Sequence, residues 1–205
     1  MSKFILLLIL PTCLFAQKRA EQTFDAKDIK ALYINSDAVF KISIATQAIP
    51  EISVSTLIDG ETYESSLVHI QRLDQRLEIS TGRTPDFTPF NDKLSAHKVL
   101  SIELEIVIPE QMDVTIRSTL AETQLVGQFN NLQIDLGRGG LIGKEIRFRE
   151  SAINTISGNV TLSLRAADVI AGSRNGTSKV DSIFNDGPLC VIQSIYGDIE
   201  VLQVK

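Results

Sequence analysis

A small residue at a turn, followed by a short strand with apolar residues at alternate positions, recurs five times in the C-terminal half of this chain. The units are Ala121–Leu125, Gly139–Gly143, Gly158–Leu162, Gly176–Val180 and Gly197–Val201, with starts 18, 19, 18 and 21 residues apart. A period near twenty, with strands and no helix between them, predicts a right-handed parallel β-solenoid of short rungs over residues 111–205. Its inward residues are Val114 and Ile116, Leu132 and Ile134, Ile146 and Phe148, Val160, Leu162 and Leu164, and Ile199 and Val201. A rung of this kind buries its apolar row only against the next rung, so the repeats depend on one another. Two units, at Ala121 and at Thr177-Ser178-Lys179, are degenerate. Outward positions such as Asp135, Arg147, Arg149, Thr161 and Glu200 would form long polar faces.

Residues 17–110 read as a preceding β region of mostly antiparallel strands, although one continuous domain over 24–205 would also accommodate the pattern. Ala31–Asn35 and Val39–Ile44 flank Ser36-Asp37 and look like a hairpin. Glu51–Ile58 alternates cleanly before an Asp59-Gly60 turn, and Leu67–Ile70 and Arg76–Ser80 read as a further antiparallel pair. Val99–Ile108 is a long strand ended by Pro109. The segment 82–96 differs in kind, with Pro85, Pro89, Asp86, Asn91 and Asp92 around Phe87 and Phe90. Two prolines deny it a place in a central strand, and a loop of this length is where a ligand contact in this half would be expected.

Residues 1–16 carry Lys3, the apolar run Phe4–Leu10 and the small-residue end Leu14-Phe15-Ala16, the layout of an export signal cleaved before Gln17. The apolar stretch Phe4–Ala16 is 13 residues, short for a membrane span. Lipidation at Cys13 is the competing reading, but Leu10-Pro11-Thr12 lacks the small residue expected directly before a lipidated cysteine. The remainder, 189 residues with 19 basic and 25 acidic side chains, has a net charge of −6. That balance opposes nucleic-acid binding, which needs a basic face to neutralise phosphates. Cys190 is then the only cysteine. It lies in the apolar stretch Leu189–Ile192 with no basic neighbour to activate it, which points to a buried core residue.

Several motifs fail on inspection. Gly137–Gly143 has Ile142 where a dinucleotide fingerprint needs its third glycine. As a P-loop it has Arg138 where glycine is required and Glu145 where Ser or Thr is required, so a tight glycine-rich corner explains it better. Glu103 and Glu105 share one strand face between Ile102, Leu104 and Ile106, the pattern of a solvated face. His69 and His97 lack companions at metal-ligand spacing. Asp198 follows Gly197 as in calcium-binding solenoid turns, but the full G-G-x-G-x-D repeat is absent. Asn159-Val-Thr161 and Asn175-Gly-Thr177 match the glycosylation sequon, and no glycan is expected on either. No residue stands out as catalytic, cofactor-binding or metal-ligating, and no cofactor is implied.

Val191-Ile-Gln-Ser194-Ile-Tyr-Gly197-Asp-Ile-Glu-Val201 and Ile153-Asn-Thr-Ile-Ser157-Gly158-Asn-Val-Thr-Leu162 carry a resemblance. The chain resembles the bacterial adhesin-like domains of the DUF4097 and head-GIN type, found in exported proteins of Bacteroidetes. Their mark is apolar-x-apolar-x-Ser-x-x-Gly-Asx-apolar-x-apolar, matched best over residues 99–205. The resemblance implies a non-catalytic exported binding or structural module of the cell envelope, periplasmic or extracellular, with an unidentified protein or glycan partner. A periplasmic sensor or assembly factor is the alternative, and a β-helix carbohydrate-active enzyme ranks third. The repeat runs to Lys205, and nothing read after it points to a sorting segment. Self-association through an exposed edge at Ile199–Val204 is a further expectation.

Overall fold

The structure is a computed structural model that describes residues 17–60, 66–83, 100–181 and 187–204. Sixteen strands carry it, and the described residues contain no helix. They are β1 (Gln17–Asp25), β2 (Ala31–Ser36), β3 (Lys41–Gln47), β4 (Glu51–Gly60), β5 (Ser66–Leu73), β6 (Arg76–Arg83), β7 (Leu100–Pro109) and β8 (Met112–Ser118). The remainder are β9 (Glu122–Leu136), β10 (Leu141–Arg147), β11 (Glu150–Thr155), β12 (Val160–Leu164), β13 (Asp168–Ser173), β14 (Ser178–Val180), β15 (Leu189–Ser194) and β16 (Ile199–Gln203).

Two ladders result. The first runs β1-β4-β7-β3-β9-β10-β12-β16-β14, and the second β5-β6-β2-β8-β9-β11-β15-β13. The pairs β1–β4, β4–β7 and β5–β6 are antiparallel, and the other pairs are parallel. β9 belongs to both ladders, leaving the first near Gln128 and joining the second from Phe129. Gly127 makes that crossing with φ 110. A Cβ there would collide with the Thr46 hydroxyl, which accepts the Gln128 N–H at 2.7 Å. A side chain at this point would lose both the backbone angle and the hydrogen bond.

The alternation of the strands explains the core. In the second ladder Ile79, Ile34, Ile116, Ile134, Ile153 and Ile192 fall in one register row, and all are buried. In the first ladder Ile106, Ile44, Leu125, Leu162 and Val201 take part in a matching row, with Gly143 between Leu125 and Leu162. Branched aliphatic side chains stacked at strand spacing fill such an interior without aromatic bulk. One connected apolar cluster extends from Ile29 to Val201.

The architecture is all-β, mixed and open at the ladder ends. It departs from a uniform parallel solenoid in the order of its layers. Each layer sets a strand of the second ladder beside a strand of the first, the two joined by a corner wherever the connection lies among the described residues. From one end the layers are β6/β7, β2/β3, β8/β9, β9/β10, β11/β12, β15/β16 and β13/β14. Neighbours are therefore exchanged at both ends relative to chain order. The expected hairpin at Ser36-Asp37 is one of these corners instead: β2 pairs with β6 and β8, while β3 pairs with β7 and β9. The expected antiparallel pair is present as β5 and β6. The edge expected to be exposed at Ile199–Val204 is covered over Ile199–Val201, where β16 has β12 on one side and β14 on the other.

Candidate functional site

Among the described corners where the chain passes from the second ladder to the first, all but the one at Leu136 begin with a hydroxyl. Ser194 Oγ accepts the Gly197 N–H at 2.8 Å, Ser173 Oγ the Gly176 N–H at 3.0 Å, and Ser118 Oγ the Ala121 N–H at 3.2 Å. Ser36 Oγ accepts from Val39 N at 3.1 Å, and Thr155 Oγ1 donates to the Gly158 carbonyl at 2.9 Å. Leu136 occupies the same register row without a hydroxyl. These short local bonds close the turn and satisfy an otherwise buried polar group. The small residue three positions on has a separate purpose. A Cβ on Gly158 would overlap the Gly139 carbonyl, and one on Gly197 the Gly158 carbonyl. The corners thus stack in contact, Ala121 to Gly139 to Gly158 to Gly197 to Gly176.

Beside these corners an open groove of about 610 Å³ crosses the outer face of the second ladder. Its floor is a single register row: Asn35, Arg117, Asp135, Asn154 and Gln193 lie on five successive strands. Asn154 Nδ2 donates to Asp135 Oδ1 at 2.8 Å, and Arg117 Nε sits 3.6 Å from Asp135 Oδ2. Arg117 also lies over the Tyr33 ring, 6.0 Å from its centroid. The corner side of the groove carries Asp37, whose carboxylate accepts the Thr119 hydroxyl, then Ile156, Ile195 and Arg174. Ile156 is 52% exposed and Ile195 37%. The site is amphipathic: a polar floor with an apolar wall.

The sequence features meet the structure as follows. Asp135 lies in the groove. Arg149 stays on the same ladder but away from the groove, bound to Asn130 and Asn131. Arg147, Thr161 and Glu200 belong to the first ladder, so the five outward residues do not share one face. Glu103 is in register with Lys41, which is in register with Glu122, an alternating charged row on a solvated face. Asp198 accepts both the Thr177 backbone N–H at 2.7 Å and its hydroxyl at 2.8 Å, while its own N–H donates to Asn159. The Thr177 backbone N–H, then its hydroxyl, hold the Asp198 carboxyl below the usual carboxylate range. Asp198 therefore ties β14 to β16. Asn159 and Asn175, the sequon asparagines, both bond to the neighbouring layer. His69 is exposed on β5, at the end of the second ladder away from the groove. Cys190 is fully buried; burial pushes its thiol up to about 12, partly opposed by the adjoining Ser151 hydroxyl. Among the described residues no three His, Cys, Asp or Glu side chains converge as metal ligands. Cys13, His97 and nearly all of the 82–96 segment lie outside the described residues.

The groove itself was missed in the sequence. Its floor residues are separated by up to 158 positions, and each is an ordinary outward residue of its own strand. The serine of the repeat pattern was visible, but its equivalent in the Gly158 unit is Thr155, not Ser157.

No protein-family model matches the chain, and no curated protein matches it in sequence. Among solved structures it is similar to a "putative cell adhesion protein" from Clostridium sporogenes, at 13% identity and TM-score 0.67, covering 92% of this chain and 100% of that one. A "putative adhesin" from Bacteroides fragilis aligns over 91% of this chain and 97% of its own, at 8% identity and TM-score 0.40. The Clostridium likeness is one of fold. The chain is an all-β protein whose architecture is shared with a bacterial protein described as adhesive.

Proposed function

We propose that the chain is an exported, non-catalytic binding module of the bacterial cell envelope. Its contact surface on this reading is the groove across β2, β8, β9, β11 and β15. The observation that supports it most is the groove's composition. Amides and a carboxylate already engaged by arginine and asparagine are aligned in one register row beside exposed isoleucines. Such groups orient and hold a ligand. Parallel stacking of the repeats, in the manner of a solenoid, supplies the rigid surface they need. The likeness to a protein described as adhesive agrees with this reading, as does the export signal expected at residues 1–16.

The test is binding of labelled protein beginning at Gln17 to bacterial envelope preparations, compared with an Asn154→Ala, Gln193→Ala double variant. Saturable binding by the parent and its loss in the variant are expected. Hydrolysis of an envelope polymer that disappears on changing Asp86 or Asp92 would replace this reading with an enzymatic one.

A further inference from the structure

We infer that the groove takes an uncharged linear polysaccharide, laid across the strands along the axis of the stack; this rests on the groove being the contact surface. Four observations lead there. First, the polar floor repeats. Adjacent strands are about 4.8 Å apart, so a ligand running across them meets Asn35, Arg117, Asp135, Asn154 and Gln193 at a constant step. That step is comparable to the advance per ring of an extended sugar chain.

Second, the groove is a face and not an edge. β2, β8, β9, β11 and β15 each have a ladder partner on both sides. Their backbone groups are taken, so a peptide cannot add as a strand, and recognition falls to side chains. Third, the floor is nearly neutral within itself. Arg117 faces Asp135, Asp37 accepts from Thr119, and the whole chain carries a formal charge of −5. An anionic polymer would gain little here and meet overall repulsion.

Fourth, the chemistry on offer is that of hydroxyl recognition. Among the described residues, the side-chain amides of Asn35 and Gln193 have no hydrogen-bond partner. Each presents donor and acceptor side by side, which is what a vicinal diol requires. Ile156 and Ile195 add an apolar wall for the C–H faces of the rings. A purely apolar ligand would leave the polar floor unpaired.

Affinity electrophoresis tests this with the mature chain. Native gels are cast with a linear β-1,4-glucan, a linear β-1,3-glucan, a linear mannan, an α-glucan or, for charge, alginate. Retardation is expected in at least one neutral gel. Gln193→Ala and Asn154→Ala should each weaken it about tenfold, the loss of a ligand hydrogen bond in a formed site. Glu200→Gln, on the first ladder, should leave it unchanged. Both groove side chains are exposed, so unchanged melting temperatures will accompany these effects. Retention in alginate alone, equal retention of the groove variants, or free migration through every neutral gel would overturn the inference. If no neutral gel retains the protein but the groove variants still lose envelope binding, the sugar is wrong and the groove stands. If those variants bind envelope like the parent, the groove reading falls with it.

Discussion

At the scale of single residues, the corners divide the work between two positions. The hydroxyl closes the turn, and the glycine lets the next layer approach. Replacing Gly158 by alanine forces a methyl group into the Gly139 carbonyl, which backbone movement must relieve. A loss of about 3 kcal/mol in urea unfolding is expected, at the upper end for overpacking in a dense interior. Gly172 is the internal comparison, because a Cβ there meets nothing within 4 Å. Gly172→Ala should leave stability unchanged to within about 0.5 kcal/mol, and equal losses at the two sites would refute the stacked-corner account. Cys190 makes a pH prediction. Its thiol is raised from 9.0 to about 12 in the folded protein, so above pH 9 the unfolded chain releases a proton that the folded chain retains. The stability this thiol contributes is intact below pH 9 and is lost as pH rises towards 12, at about 1.4 kcal/mol per unit. Wild type should therefore lose stability faster than Cys190→Ala between pH 9 and 11. Parallel curves for the two would show that the thiol is not held neutral by its surroundings.

At the scale of elements, strand identity was legible and strand partnership was not. Alternation along Ile102–Ile108 or Leu132–Ile134 states which face is buried, and the structure buries those faces. It does not state which strand lies alongside, because any apolar row can stack on any other of the same period. Ser36-Asp37 shows the limit. Two strands and a short turn look the same in sequence whether the chain folds back within a sheet or steps between sheets. Position along the chain misled in the same way at β16. Although it follows β14 in sequence, β16 has two neighbours and β14 has one. Amide exchange should thus find Ile199 and Val201 better protected than Lys179 and Val180, against the usual fraying towards a chain end. Faster exchange in β16 would contradict the layer order.

At the scale of the whole molecule, strands on either side of residue 110 pair with one another. β8 pairs with β2, and β9 with β3, so the two halves share ladders and core. Thermal or urea unfolding followed by circular dichroism should coincide with the exposure of Cys190 to a thiol reagent, giving one cooperative transition. A separate early step in either signal would restore two independently stable parts. The candidate site also belongs to this scale. Its members are assembled by five strands, and no local pattern could announce them. The exchanged layers at the C-terminal end have a consequence for synthesis. When β13 and β14 emerge from the ribosome, the surface they will occupy does not yet exist, because it is built by β15 and β16. A nascent or truncated chain that stops before Leu189 therefore loses two layers rather than one, and leaves β11 and β12 bare. In such a chain β13 and β14 have no ladder to join, because β15 and β16 are the strands they pair with.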